Sequence, residues 1–381
     1  MQCSRRVIHG IVSQINMQKQ TMRVAIIGAG INGICSAISL AQRGCSVTVY
    51  ERSSPFSETS SRSSKLLHGG IRYLENGHIK LVREALEDRA WWVQNAPKYT
   101  QVNNFFIPIY ENSSRSRLKL YAGVKLYEYL ASSYSLGPSK YHNLEATLKA
   151  NNCLSSDGLL GSVSYFDVQM DDIGLSEWLV GKAHSLGAII LDHTCVDRLS
   201  PEGVVMLSNG KKAVYDKIVN ACGPWVAKIL AESCIKSDFS LAPVKGSHII
   251  VDRSINNPIV IQIPEDSRIV FMLPHGNQTL IGTTEVVHDM ECEITCSDQE
   301  INYLIEAVNT VLHEPLSANE IIDKYAGVRP IVSTEKEMSK LSKANRDSVL
   351  EKHEKIVSIF GGKWTSGMRL GEAVANIVMN S

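Results

Sequence analysis

Little in this sequence commits it to a nucleic acid, a metal or a membrane. Its 39 basic and 39 acidic residues cancel. Bulk charge therefore gives no hold on nucleic acid, and any anion site has to be local. The nine cysteines are odd in number, scattered and without a CxxC pair. Cys292 and Cys296 are the nearest couple, and no metal site is expected. That usage fits a reducing, cytoplasmic setting. Residues 1–21 carry Arg5, Arg6 and Lys19, no acid and no long apolar run, so they do not read as a secretory signal. They are expected to form a disordered extension, or to precede a natural start at Met17 or Met22. An organelle-targeting segment is the alternative. No internal repeat or low-complexity domain is evident. The nearest approach to a membrane span is Val24–Ala41, 18 residues whose only polar side chains are Asn32, Ser36 and Ser39. It is short, rich in glycine and leads on to another strand, which argues against a span.

What is there is a chain of 381 residues with 44% hydrophobic content, enough for two domains or one large one. The stretch Val24–Glu51 organises it. An apolar run, Val24–Ile27, precedes Gly28, Gly30 and Gly33 in the GxGxxG register. Ile34–Gln42 has helical spacing, Gly44 ends it, and Val47–Tyr50 is a second strand stopping at Glu51. This is a complete βαβ unit for a dinucleotide. Gly28 permits the tight turn, Gly30 admits the pyrophosphate and Gly33 lets helix and strand pack closely. The helix N-terminus offers N–H groups and a positive dipole end. Glu51, 23 residues after Gly28, is placed to accept ribose hydroxyls. The motif alone does not choose between FAD and a nicotinamide cofactor.

Further along, Ser53–Glu75 reads as a loop whose hydroxyls can hold phosphate or flavin oxygens. Ile79–Val93 has the spacing of an amphipathic helix, and Pro97 stops it. Asn104–Tyr110 reads as a strand, with Pro108 marking an edge or an end. Arg115–Ser132 is a helix with a Tyr- and Leu-rich stripe, read as core packing. Gly161–Gly174 is a strand and an acidic turn, with Asp171 or Asp172 capping the helix Leu175–Leu186. Val204–Leu207, Asn209-Gly210 and Ala213–Val219 read as a hairpin, ending in the turn Cys222-Gly223-Pro224. From Lys245 the chain is β-rich, with turns at Pro264-Glu265-Asp266 and His275-Gly276-Asn277. Ser297–Leu312 is a helix with Ser297 and Glu300 spaced as a capping box. Ser333–Lys355 is polar and is expected to be an exposed excursion.

Several blocks together resemble the FAD-dependent glycerol-3-phosphate dehydrogenases: IIGAGINGICSA, SSRSSKLLHGGIRYLE, VNACGPWV, VKGSHIIV, SRIVFMLPH, LIGTTEV, YAGVRPIV and FGGKWTS. They occur in the family order from Val24 to about Ala373. SSKLLHGGIRYLE and KGSHIIV are far more specific than the nucleotide fingerprint. The resemblance implies an α/β (overall α+β) fold: a Rossmann-type FAD-binding domain of the glutathione-reductase type with an inserted antiparallel-sheet substrate domain. The implied division gives residues 22–95, 156–235 and 325–381 to the first, and 96–155 and 236–324 to the second. It implies FAD as cofactor and a small anionic substrate, with sn-glycerol 3-phosphate oxidised to dihydroxyacetone phosphate by hydride transfer from C2 to flavin N5. Quinone or another acceptor would take the electrons. The alternative is another small anion, such as a 2-hydroxy acid, another polyol phosphate or an amino acid. A homodimer and peripheral contact with the inner face of a membrane fit the family.

Carried over by position, Gly28, Gly30, Ile31, Asn32, Gly33, Glu51 and Arg52 should hold the ADP half of FAD. Ser60, Ser61, Ser64, Lys65, Leu66, His68 and Gly69 should run along the diphosphate and flavin. Val196 would flank the adenine, Ala221 and Gly223 the nucleotide turn, and Gly362, Lys363 and Thr365 the isoalloxazine. Arg72, His248, Arg329, Arg346 and Lys363 would face the substrate, with His248, Arg329 and Lys363 as catalytic groups. The chemistry agrees: arginine offers a planar fork to a phosphate, histidine titrates near neutrality, and a lysine can stabilise an anionic reduced flavin. Three departures stand out. The relatives' C-terminal helical domain, used in assembly and membrane association, is not in this sequence. The family's Thr-Thr-Tyr-Arg after FGGK is Trp364-Thr365-Ser366-Gly367 here, and its Asp-Asp-Ala-Arg-Leu is Asp171-Asp172-Ile173-Gly174-Leu175. They leave room for a changed substrate or acceptor.

Overall fold

The computed structural model describes residues 21–263, 268–333 and 348–380. The extension 1–20, the Pro264-Glu265-Asp266 turn and Arg346 lie outside the described residues.

The opening stretch folds as strand Arg23–Ile27, helix Ile31–Gln42 and strand Ser46–Tyr50. The strands pair in parallel, with Val24 opposite Val47 and Ile26 opposite Val49. The helix begins at Ile31 and not Ile34, because Gly30 takes an extended conformation and serves as its N-cap. The apolar run Val24–Ala41 is thereby divided into strand, turn and helix. Among the described residues no helix is long and apolar enough to cross a membrane. Arg23–Ile27 sits inside a six-stranded sheet in the order Val349–His353, Ile356–Phe360, Lys217–Asn220, Arg23–Ile27, Ser46–Tyr50, Ile189–Leu191. Only the outermost pair, Val349–His353 with Ile356–Phe360, is antiparallel.

Alternation along Arg23–Ile27 separates two cores. Val24 and Ile26 point to helices Ile31–Gln42, Asp172–Ser185 and Gly367–Met379. Ala25 and Ile27 point to Leu199 and Val205 of a three-stranded sheet formed by Val196–Ser200, Val204–Leu207 and Lys212–Val214. A parallel strand covered on both faces reads as the unbroken apolar run seen in the sequence.

A second, ten-stranded sheet carries the rest. Ser240–Val251 pairs antiparallel with Ile321–Ser333 along its length, and Thr100–Tyr110 does so with Leu159–Met170. The single parallel contact is Ile259 opposite Phe106. The α/β class and the mixed architecture expected from the sequence are what the chain adopts.

Four local expectations are corrected or narrowed. Ala213–Val219 is not one hairpin arm: Lys212–Val214 closes the small sheet, whereas Lys217–Asn220 pairs with Arg23–Ile27. Tyr215 and Asp216 divide them, the Asp216 carboxylate accepting the Arg23 N–H at 2.7 Å. Of the two positions expected for Pro108, it takes the end, two residues before Tyr110, and not a sheet edge, since Thr100–Tyr110 lies between two partners. Its missing N–H faces the side of Ile259, as the Phe106 N–H does, and pairing there is confined to the Ile259–Phe106 contact. The 333–355 excursion ends in an edge strand, Val349–His353. Lastly, Leu159–Met170 falls in the block assigned to the nucleotide domain, yet it belongs to the large sheet, and Ile321–Ser333 runs through the 324/325 boundary. A strand joins the sheet of its pairing partner, which chain order does not reveal.

Candidate active site

The first cleft lies at the C-terminal ends of the parallel strands, where open α/β sheets bind ligands. It holds about 360 Å3 and is lined by Gly28, Gly30, Glu51, Arg52, Val196, Ala221, Gly223 and Trp225, among others. A Cβ on Gly33 would stand 1.9 Å from the Gly28 carbonyl oxygen, so only glycine lets the helix start this close to the turn. Its N-cap, Gly30, has no side chain to occupy the helix end. Its dipole end is available to an anion. Glu51 is buried, and its two oxygens accept the Ala29 and Ser53 N–H groups at 2.8 and 2.9 Å. It thus braces the turn, while each oxygen keeps a lone pair for a ligand hydroxyl. The Arg52 guanidinium stacks 3.9 Å from the Trp225 ring centroid and pairs with Glu58 at 2.8 Å.

A second cleft, about 280 Å3, meets the first at Thr59 and Ser60. Its walls come from three regions: Ser64, Leu66, His68 and Arg72 from the segment after the first cleft, Gly246 and Arg329 from the large sheet with Thr283 and Glu285 from the link between two of its strands, and Gly362, Lys363, Trp364 and Thr365 from the segment before the last helix. Trp364 braces the junction. Its Nε1 donates to the Ser60 carbonyl at 2.7 Å, and its ring stacks on Phe56 at 5.5 Å between centroids. The Ser60 hydroxyl accepts the Ile31 N–H at 3.1 Å.

The positive groups Arg72, Arg329 and Lys363 all line this second cleft. Arg329 Nη2 donates to Thr283 Oγ1 at 2.9 Å, and Arg72 Nη1 lies 3.7 Å from Glu285 Oε1. Lys363 Nζ sits 4.6 Å from the Tyr73 ring centroid. His248 does not line the cleft. It is buried, stacked on Tyr325 at 4.8 Å between centroids, and its Nε2 is 2.8 Å from Oγ of Ser64, which does line it. A Cβ on Gly282 would come within 2.1 Å of the imidazole, so the ring is accommodated only against glycine. Burial, then the Arg329 and Lys65 cations, hold the imidazole well below the usual histidine range. His248 Nδ1 has no hydrogen-bond partner among the described residues.

Of the described residues singled out in the sequence, most line one cleft or the other; six do not. Asn32, Gly33, Ser61, Lys65, Gly69 and His248 stand behind the walls. Lys65 turns away, its Nζ bonded to the Ser61 carbonyl at 2.7 Å and to Asp172 at 2.5 Å. Asn32 Nδ2 donates to the Gly361 carbonyl at 3.0 Å, leaving its buried Oδ1 without a partner among the described residues. The sequence reading passed over Arg62, Glu285, Thr283 and Trp225. All four sit inside the quoted blocks SSRSSK, LIGTTEV and VNACGPWV, where position within a motif was the available signal. Two clefts that share Thr59 and Ser60, a helix terminus with glycine at its N-cap, a buried acid at the strand end and an orphaned amide oxygen beside Gly362 suit an elongated dinucleotide.

Comparison with known proteins bears on the same residues. The family model described as "FAD dependent oxidoreductase" matches residues 23–377. A glycerol-3-phosphate dehydrogenase of Pseudomonas tolaasii is 34% identical, over 92% of this chain and 70% of its own. The aerobic glycerol-3-phosphate dehydrogenase of Bacillus subtilis (strain 168) is 30% identical, over 95% of this chain and 68% of its own. Among solved structures, the glycerol-3-phosphate dehydrogenase from Bacillus halodurans complexed with FAD superposes with a TM-score of 0.73 at 23% identity. That match covers 96% of this chain and 65%, under two thirds, of the other.

Proposed function

This chain belongs to the FAD-dependent oxidoreductase family, and from that premise we propose that it oxidises sn-glycerol 3-phosphate to dihydroxyacetone phosphate. Bound FAD supplies the hydride acceptor; the chain's own groups do the rest. The two joined clefts hold the cofactor, with Gly28, Gly30 and Glu51 at the ADP end and Gly362, Lys363 and Thr365 at the flavin end. Arg72 and Arg329 take the phosphate dianion through charge-assisted bonds. Removal of a hydride from C2 requires its hydroxyl to lose a proton. The Ser64 hydroxyl, open to the cleft, takes that proton while passing its own to His248 Nε2, 2.8 Å away. Lys363 places a fixed cation where negative charge collects. The electrons leave to quinone or another acceptor.

The convergence of Arg72, Arg329 and Lys363 on one cleft that continues into the nucleotide cleft carries this reading. The names of the relatives support it. The eight described cysteines are all free, which favours a reducing compartment. The test is anaerobic loss of the flavin's visible absorption on adding candidate substrates. Glycerol 3-phosphate should bleach it, and Arg329→Ala should raise KM about ten- to a hundredfold, the worth of one charge-assisted contact. Absence of bleaching by any polyol phosphate sinks the proposal. One observation favours a second reading: the Glu285 carboxylate lies in the cleft beside Arg72. A carboxylate next to a guanidinium can receive a zwitterion, so amino acids belong in the same panel.

A further inference from the structure

The short segment Thr283-Thr284-Glu285 touches both arginines of the second cleft. Thr283 Oγ1 accepts from Arg329 Nη2 at 2.9 Å, the Thr284 carbonyl lies 3.5 Å from Arg329 Nη1, and Glu285 pairs with Arg72 at 3.7 Å. The segment lies between strands Gln278–Gly282 and Val286–Val287 and is in neither. Its one inward side chain is Thr284, 2% exposed. Thr284 Oγ1 donates to Glu300 Oε1 at 2.7 Å and accepts the Ser247 N–H at 2.9 Å.

Glu300 lies on helix Asp298–Asn309, outside both clefts. Its other oxygen, Oε2, closes the capping box with the Ser297 N–H at 3.1 Å and Oγ at 2.9 Å, and meets Lys245 Nζ at 2.9 Å. A capping box needs only that oxygen. The bond from Oε1 to Thr284 is surplus to it, and it reaches the segment that holds the arginines. Glu300 and Lys245 are both buried, so the pair keeps its geometry where exposed pairs would not. Burial would raise the Glu300 pKa, but Lys245, Thr284 and Ser297 outweigh it and hold it at about 2. The carboxylate is therefore charged at every working pH.

We propose that Glu300 is a positioning residue: through Thr284 it fixes the segment that aims Arg329 and Arg72 at the anionic group of the substrate. The inference rests on the reading of those arginines as the anion site. Inorganic phosphate is the probe, titrated calorimetrically into FAD-loaded protein alongside anaerobic bleaching by glycerol 3-phosphate. Thr284→Val keeps the capping box and the Lys245 pair; it cuts the link to the segment and also takes the acceptor from the Ser247 N–H, so Glu300→Ala, which leaves that acceptor in place, is read beside it. Thr284→Val should weaken phosphate about tenfold and raise the half-saturating glycerol 3-phosphate in step, with the maximal bleaching rate within about twofold, because aim is lost and not chemistry. Glu300→Ala should do the same. Glu300→Gln, whose amide oxygen can take the Ser297 and Lys245 donors while its NH2 donates to Thr284 Oγ1, should recover to within about threefold of wild type. Wild-type phosphate affinity in Thr284→Val overturns the proposal, as does a fall in maximal rate equal to the loss of affinity. Should Glu300→Ala fail to fold, Thr284→Val decides. If phosphate binds as expected and the variants weaken it, yet glycerol 3-phosphate does not bleach the flavin, the substrate reading falls and the role of Glu300 stands. If phosphate binds neither wild type nor variants, the anion site and this inference fall together.

Discussion

His248 shows how a side chain can serve a cleft it does not line. It shares a strand face with Gly246, which does line the cleft, but Tyr325 and Gly282 enclose the ring and Ser64 covers its Nε2. Enclosure sets its titration. Burial, then Arg329 and Lys65, push the imidazole well below the usual histidine range, so it is neutral at pH 7 and free to accept a proton. A base with a lowered pKa is lost only when pH falls through that lowered value. The acid limb of the bleaching rate should therefore lie below the ordinary histidine value of about 6.5. Arg329→Gln removes one of the depressing charges and should move the limb to higher pH. A pH series of the rate at saturating substrate reads both, and an acid limb at or above the ordinary value removes His248 from the proton path. The sequence pointed to His248 through KGSHIIV. Its burial was invisible there, because Gly282 and Tyr325 reach it from two neighbouring strands.

At the scale of elements, local patterns were the most legible. The Asp171 cap, accepting the Gly174 N–H at 3.0 Å, and the Ser297–Glu300 capping box are both present. Each is set by side chains within one turn of the backbone they serve. Expectations failed where a partner outside the segment decided, as at Tyr215-Asp216. Trp364 is the instructive case, because it stands where the resembling family has a threonine. It joins the segment before helix Gly367–Met379 to the loop between the clefts, through Ser60 and Phe56, and meets Trp92 of helix Ile79–Asn95 edge-on. Trp364→Phe keeps an aromatic ring and loses the bond to the Ser60 carbonyl, at a cost of about 1 kcal/mol, so FAD affinity should fall about fivefold. Trp364→Ala opens a cavity worth about 3–5 kcal/mol and should yield protein largely free of FAD with a lowered Tm. Flavin titration of apoprotein and thermal unfolding measure the two. Unchanged FAD affinity in both variants would show that the brace does not serve the cofactor.

Across the whole molecule, the second cleft depends on a buried charge pair beneath it. Arg89, of helix Ile79–Asn95, is 1% exposed and meets Asp167, of strand Leu159–Met170, at 3.2 Å. Tyr127, from helix Arg117–Ala131, donates to the other Asp167 oxygen at 2.9 Å, and Arg89 reaches the Tyr134 carbonyl at 3.1 Å. Burial pushes the Asp167 carboxyl up, against the pull of Arg89, Tyr127 and the Gly69 N–H. The network thus ties two helices to the large sheet and to the His68–Gly70 wall. Arg89→Met strands a buried carboxylate and should cost about 3–5 kcal/mol of stability, whereas Arg89→Met with Asp167→Asn should cost less than the single change. Denaturant unfolding at neutral pH decides, and a double variant no more stable than Arg89→Met contradicts it.

By itself the sequence determined the nucleotide-binding βαβ unit, the helix caps and the blocks that carry the resemblance. All of these are written in residues close together along the chain. Tertiary structure decided which of those blocks meet. Arg72 and Arg329 are brought to one cleft by different elements, and Glu300 is tied by Thr284 to the segment holding both. It also turned Lys65 away toward Asp172 and set His248 behind Ser64. Spacing fixes what a short segment can form; strand pairing and burial between distant segments fix what it faces.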